Sequence, residues 1–122
     1  MNSLLPLVEN LIDHPLCYTK KQFGAISIFF DQKQVLVLCD SPGETKWKNK
    51  DYKTELWYGV MIPMERENHQ ALQKTFSNLN PHPFLGKWLF LSARDPEFES
   101  TMEKLCELVL KKDPRVGIFV SF

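Results

Sequence analysis

The sequence contains no apolar run approaching the roughly 18 residues that a membrane-spanning helix requires. Its N-terminal segment, MNSLLPLVENLIDH, has no basic start and includes Glu9 and Asp13, so no secretory signal peptide is expected. Basic and acidic residues both number 15, so no net charge favours DNA or an anionic membrane. We therefore expect a cytoplasmic protein without a membrane partner, in which nucleic-acid binding would depend on a local basic patch.

Residues that could bind a metal ion or carry out catalysis are few, and they form no recognised motif. The three cysteines lack CxxC spacing, and their odd number argues against a disulfide framework. The three histidines show neither HxH nor HxxxH spacing, whereas a metal site needs three or four convergent ligands. Glutamate pairs at 65/67 and 97/99 fall in the first turns of predicted helices, where the helix dipole favours them. We expect no catalytic residue, no metal and no cofactor. One alternative stays open, namely that folding brings a cysteine and a histidine together as a nucleophile–base pair.

The pattern of apolar residues predicts an α+β fold. The 122 residues suit a single domain over 1–122. AISIFF and VLVLCD form a predicted hairpin around the polar link 31–33, and LWYGVMIP and KWLFLSA are two further strands. Helical spacing predicts helices over 3–13, 65–78 and 95–112, the last with Asp95 as its cap. The order α-β-β-β-α-β-α, with VGIFVSF as an optional final strand, favours an antiparallel sheet with helices mainly on one face.

Several short motifs carry a resemblance to a known family. The stretch KKQFGAISIFFDQKQVLVL at 20–38 combines a lysine-rich start, Phe-Gly, a β-branched strand, a polar turn and a second apolar strand. Further on, a strand containing Trp88 precedes an acidic helix start and then DPRVG at 113–117. This arrangement resembles the N-terminal domain of the TfoX family over most of the chain. The resemblance implies a compact fold related to YjbR-type domains and secretion chaperones, and a binding module more than an enzyme.

The segment KWKNKDYK at 46–53 is the most distinctive surface feature of the sequence, because it interleaves lysines with Trp47 and Tyr52. Lysines that contact phosphates and aromatic rings that stack on bases are typical of single-strand binding. Contact with a protein or a small ligand is an alternative. So is an ordinary solvated loop whose Trp47 folds back onto the sheet.

Two further positions bear on binding. The single glycine of KKQFGA matches no phosphate-binding motif, so Gly24 either permits a hairpin turn or lets a ligand approach the backbone. An antiparallel sheet covered on one side leaves its other face free, and aromatic residues on that face would mark a dimer interface or a ligand surface.

We therefore expect a small binding or regulatory module that contacts a protein partner, or a second copy of itself, through the open sheet face. The alternative is a nucleic-acid-associated protein that uses the segment 46–53. The residues expected at the binding surface are Lys20, Lys21, Phe23, Gly24, Trp47, Lys48, Tyr52 and Trp57.

Overall fold

A computed structural model describes residues 2–22, 24–52 and 54–120 of the chain. The helices are α1 (Glu9–Ile12), α2 (His69–Thr75) and α3 (Phe98–Leu110). Short 3₁₀ turns at Leu5–Val8 and Arg66–Asn68 lead into the first two. The strands are β1 (Cys17–Gln22), β2 (Ala25–Phe30), β3 (Lys33–Asp40), β4 (Lys46–Trp47), β5 (Lys50–Asp51), β6 (Tyr58–Ile62), β7 (Asn80–Pro81), β8 (Leu89–Ser92) and β9 (Ile118–Phe119).

Seven of these strands form one antiparallel sheet in the order β1-β2-β3-β6-β8-β7, and β9 pairs with the start of β3. The remaining two, β4 and β5, form a separate small hairpin. The predicted α+β class is confirmed. To the predicted order the structure adds β1, β7 and the β4–β5 hairpin. The strand β1 escaped prediction because its residues after Cys17 are all exposed, so its sequence shows no alternation of apolar and polar residues.

The two faces of the sheet are covered differently. The first face packs against all three helices in one large apolar cluster that runs from Leu4 to Val116, as predicted for a sheet with helices on one side. The second face carries a small cluster of Val37, Cys39, Met61 and Phe90. Among the described residues, no helix covers this second cluster. Its partly buried neighbours are Ala25 on β2 and three side chains from two connecting segments, Trp57, Leu85 and Trp88.

A β-bulge changes which residues of β3 reach the second face. Ile28 pairs with Leu36, but Phe29 pairs with Gln34, so Val35 is an extra residue on β3. Val35 joins the large cluster on the helix side. As a result Gln34 lies on the second face, where its amide donates to the hydroxyl of Ser27 at 3.2 Å. Bulges of this kind commonly redirect a side chain next to a functional site.

The centre of the second face depends on a close approach of two strands at Gly59. This residue pairs with Cys39 on one side and with Ser92 on the other. A Cβ atom at Gly59 would collide with the backbone oxygen of Leu91 and would lie 2.7 Å from the Phe90 ring. The ring of Phe90 therefore occupies the space that a side chain at Gly59 would need.

We expect Gly59→Ala to lower the free energy of unfolding by about 3 kcal/mol, because neither the β8 backbone nor the buried ring can move away freely. Gly86→Ala is the matched control, since its added Cβ would have no neighbour closer than 3.7 Å. The control should change stability by less than about 0.5 kcal/mol. Urea unfolding of both variants provides the measurement, and equal midpoints would contradict the close packing.

Candidate ligand-binding cavity

A cavity of about 590 Å³ lies on the second face of the sheet. Its floor is formed by Val37, Cys39 and Met61. The walls are large apolar side chains from the connecting segments, namely Trp47, Trp57, Leu85 and Trp88. The chain contains three tryptophans, and all three line this cavity.

The segment that carries Trp47 and Trp57 is held in place by a ladder of backbone hydrogen bonds. Ser41 donates to the carbonyl oxygen of Trp57 at 2.8 Å, and Leu56 donates to that of Glu44 at 2.9 Å. At its tip, β4 and β5 pair across a two-residue turn of Lys48 and Asn49. Both turn residues have positive φ, as in the type I′ turns that match strand twist. The segment for which the sequence left an ordinary solvated loop open therefore contains a hydrogen-bonded hairpin.

An ion pair fastens the same segment to the far end of the sheet. The guanidinium of Arg94 donates to both oxygens of Glu55, at 2.8 and 3.3 Å. The backbone N–H of Gly43 also donates to Glu55, at 2.6 Å. The hydrogen bond from Arg94 is the main cause that lowers the pKa of Glu55, and the bond from Gly43 adds to it. The carboxylate of Glu55 thus joins the two ends of the segment to the β8–α3 connection.

His82 links the two segments that wall the cavity. It is only 1% exposed. Its Nδ1 accepts hydrogen bonds from the backbone N–H groups of Phe84 and Leu85, both at 3.0 Å. Its Nε2 lies 2.6 Å from the carbonyl oxygen of Leu56, next to Trp57 in the chain. Since Nδ1 serves as an acceptor, the proton of the neutral ring must sit on Nε2.

Aromatic contacts extend this link to the cavity walls. The imidazole lies 4.9 Å from the ring of Trp57 and 5.1 Å from that of Phe90. Trp47 packs nearly perpendicular to Trp57, with 5.6 Å between ring centroids, and also contacts Phe84 at 5.5 Å. The walls and the floor are therefore one continuous packed group centred on His82, so the cavity has a preformed shape.

Uncharged polar side chains form one side of the cavity. Gln34 donates to the hydroxyl of Ser27, and that hydroxyl lies 3.5 Å from the amide oxygen of Gln22. All three side chains line the cavity, and Ser27 is otherwise buried. We call Gln22, Ser27 and Gln34 the polar strip. The acidic residues Asp40 and Glu44 also line the cavity, and Asp40 borders an adjoining cleft together with Gln22.

The thiol of Cys39 in the cavity floor is poorly suited to act as a nucleophile. Burial raises the pKa of Cys39 to about 12, so the thiol stays protonated at neutral pH. Among residues 2–22, 24–52 and 54–120, no three His, Cys, Asp or Glu side chains come together in a way that could hold a metal ion. Within those ranges, no helix is long and apolar enough to cross a membrane.

The residues expected at the binding surface fall in different places. Gly24, Trp47 and Trp57 meet around the cavity. Lys48 lies with its ammonium group 5.6 Å above the ring of Phe84, and Tyr52 is half-buried beneath Lys50 at 5.0 Å.

The other expected residues lie around the β1–β2 connection. Lys20 pairs with Ser27 on exposed β1, and Lys21 lines an adjoining cleft that it shares with Gly24. Gly24 has φ +80° in the two-residue connection between β1 and β2, so its proposed turn role and its place at the cavity are both observed. Phe23 lies outside the described residues.

Sequence reasoning missed the residues that complete the site. The missing HxH and HxxxH spacing gives no sign of His82, because its role depends on backbone groups that folding brings to the ring. No motif distinguishes Leu85 or Met61 from other apolar residues. The alternation of KWLFLSA does predict that Trp88 and Phe90 share a face, and both lie on the second face. A polar residue at Gln34, next to an apolar strand, was the available signal for the polar strip.

Comparison of this chain with protein-family models, with curated proteins and with solved structures finds no significant match. The resemblance to TfoX domains therefore stays a prediction. Function has to be inferred from the geometry of the cavity.

The buried His82 makes the stability of the fold depend on pH. Burial lowers the pKa of His82 below its ordinary 6.5, although the bond to Leu56 opposes the shift. Below about pH 6.5, His82 therefore binds a proton in the unfolded chain while it is still unprotonated in the folded chain. The free energy of unfolding should fall as the pH drops. Above that pH the ring is neutral in both states, and this contribution is constant.

Denaturant unfolding between about pH 7.5 and about pH 5.5 measures this effect. His82→Asn keeps an acceptor near Phe84 but loses the bond to Leu56, so it should be about 1–3 kcal/mol less stable at the upper pH. Its stability should also fall less steeply with pH than that of the wild type. Gln70→Asn, at an exposed position of α2 without a titratable group, is the control and should retain the wild-type slope. Parallel slopes for wild type and His82→Asn would refute the role of this ring.

Proposed function

We propose that the protein is a binding module whose ligand is a small molecule with an apolar, ring-containing body, held in the cavity on the second face of the sheet. The observation that carries this proposal is that all three tryptophans line one cavity of about 590 Å³. Cavities that bind small molecules typically measure about 300–1,000 Å³ and combine apolar walls with a few polar groups.

The way in which the walls are held supports the same proposal. A cavity closed by loose loops would lose affinity because binding would have to order them. Here the hydrogen bonds of His82 and the ion pair of Glu55 with Arg94 hold both wall segments before a ligand arrives. The protonated thiol of Cys39 and the uncharged polar strip suit recognition better than catalysis. A cytoplasmic, regulatory setting, as in TfoX-like domains, is part of the proposal.

A small ligand is favoured over a nucleic-acid strand by the position of Trp47. Stacking on bases requires an accessible ring face. The ring of Trp47 is instead engaged in T-shaped contacts with the rings of Trp57 and Phe84, and it lines the cavity although 36% of the residue is exposed. The lysine next to it, Lys48, rests on the ring of Phe84. Trp47 thus belongs to the wall of the cavity, and Lys48 packs behind that wall on Phe84.

The neutral fluorophore N-phenyl-1-naphthylamine tests the proposal, because its emission increases in apolar surroundings. We expect saturable binding at one site that is insensitive to added salt. Ala25→Phe should weaken binding about tenfold, or about 1.4 kcal/mol, because Ala25 lines the cavity and its enlarged side chain would occupy ligand space. Ala71→Phe places the same ring on the exposed face of α2 and should leave the affinity unchanged.

Absence of saturable binding, or equal affinity in both alanine variants, would contradict a ligand cavity. A mixed-sequence oligonucleotide serves as a second probe. Strongly salt-dependent binding of this oligonucleotide that is lost in Lys48→Glu would support the nucleic-acid alternative instead.

A further inference from the structure

The polar strip is an unusual feature of the second face. The centre of that face is apolar, with Val37, Cys39 and Met61 buried side by side. Ser27 is 3% exposed, so its hydroxyl has been removed from water at a cost that only hydrogen bonds can offset. The β-bulge at Val35 provides such a bond by turning Gln34 away from the helix side and towards Ser27.

The hydrogen bonds of the strip run in one direction. Gln34 gives an N–H to Ser27, and Ser27 directs its hydroxyl towards the amide oxygen of Gln22. Two polar atoms are then left over at the ends of this chain: the amide oxygen of Gln34 and the amide nitrogen of Gln22. Neither has a hydrogen-bond partner within the described part of the chain, and both side chains line the cavity. The strip therefore offers a ligand the acceptor oxygen of Gln34 together with the amide N–H groups of Gln22.

Charges in the lining narrow the class of ligand further. Asp40 and Glu44 are the charged residues among those that line the cavity in the described ranges, and no basic side chain joins them. The nearby lysines are placed elsewhere: Lys48 and Lys87 rest on the rings of Phe84 and Trp88, and Lys21 lies in the adjoining cleft. An anionic group would meet carboxylates there without a compensating cation, which disfavours it.

We propose that the ligand carries an uncharged amide-type group, either a primary carboxamide or the lactam edge of a ring, which the polar strip recognises. Such a group both donates and accepts, so it can donate to the amide oxygen of Gln34 or accept an N–H from Gln22. The ring system of the ligand packs among Trp47, Trp57 and Trp88, where flat aromatic surfaces gain the most contact. This inference rests on the proposed ligand-binding function and specifies its substrate class.

Three probes that share one aromatic body test this assignment: 2-naphthylacetamide, the methyl ketone 2-naphthylacetone and 2-naphthylacetate. Their head groups have nearly the same shape, but the ketone cannot donate and the acetate is an anion. Displacement of N-phenyl-1-naphthylamine reports the affinity of each. A net hydrogen bond is worth about 0.5–1.5 kcal/mol, so the amide should bind roughly three- to tenfold more tightly than the ketone. The acetate should bind more weakly than either.

Variants of the polar strip test whether its side chains cause the preference for the amide probe over the ketone probe. Gln34→Leu should remove the preference for the amide over the ketone while keeping affinity for the naphthalene body. Ser27→Ala, which breaks the strip at its centre without changing the sheet, should reduce the same ratio. Gln70→Leu, an exposed position on α2, is the matched control and should retain the wild-type ratio.

The outcomes separate this inference from the function on which it rests. Equal affinity for all three probes, or tightest binding of the acetate, would overturn recognition of an amide while leaving the ligand cavity intact. An amide preference that persists in both Gln34→Leu and Ser27→Ala would also overturn it. Failure of every probe, including N-phenyl-1-naphthylamine, would overturn the proposed function itself.

Discussion

The three hydrogen bonds of His82 are the interaction on which the site depends. One buried ring accepts from two backbone N–H groups of its own segment and donates to Leu56 in another. Without it, the carbonyl oxygen of Leu56 would lose its bond to the ring, and an unpaired buried polar group costs about 1–3 kcal/mol. Trp57, whose ring packs at a tilt against the same imidazole, would lose this contact. The packing that shapes the cavity before a ligand binds thus depends on the contacts of the His82 ring.

The connecting segments are needed on the second face because the helices of the described chain pack on the first face of the sheet. Its first face buries an apolar cluster under three helices, which accounts for the stability of the fold. Its second face carries apolar residues that no helix of the described part of the chain covers, and water would be excluded only if connecting segments folded over them. The hairpin between β3 and β6 and the turn before β8 do this incompletely. They leave a space walled by tryptophans, and the bulge at Val35 adds the polar strip.

The sequence was informative where the pattern was periodic. The long strands around Ile28, Leu36 and Val60 and the helix around Met102 follow from alternation and helical spacing. Strand β1 has no such pattern, since its residues after Cys17 are all exposed and are held by backbone pairing with β2. The site was only partly predictable. Trp47, Trp57 and Gly24 stood out as single residues, but their meeting with His82 depends on contacts between distant segments, which local spacing cannot encode.

The tautomer of His82 tests the account most directly. Long-range ¹H–¹⁵N correlation spectra distinguish a protonated ring nitrogen from an unprotonated one, and His82→Asn assigns the signals. The account predicts a neutral ring at about pH 7, with its proton on Nε2 and with Nδ1 unprotonated. A proton on Nδ1, or a charged imidazolium at that pH, would contradict it, because Nδ1 could then not accept from Phe84 and Leu85.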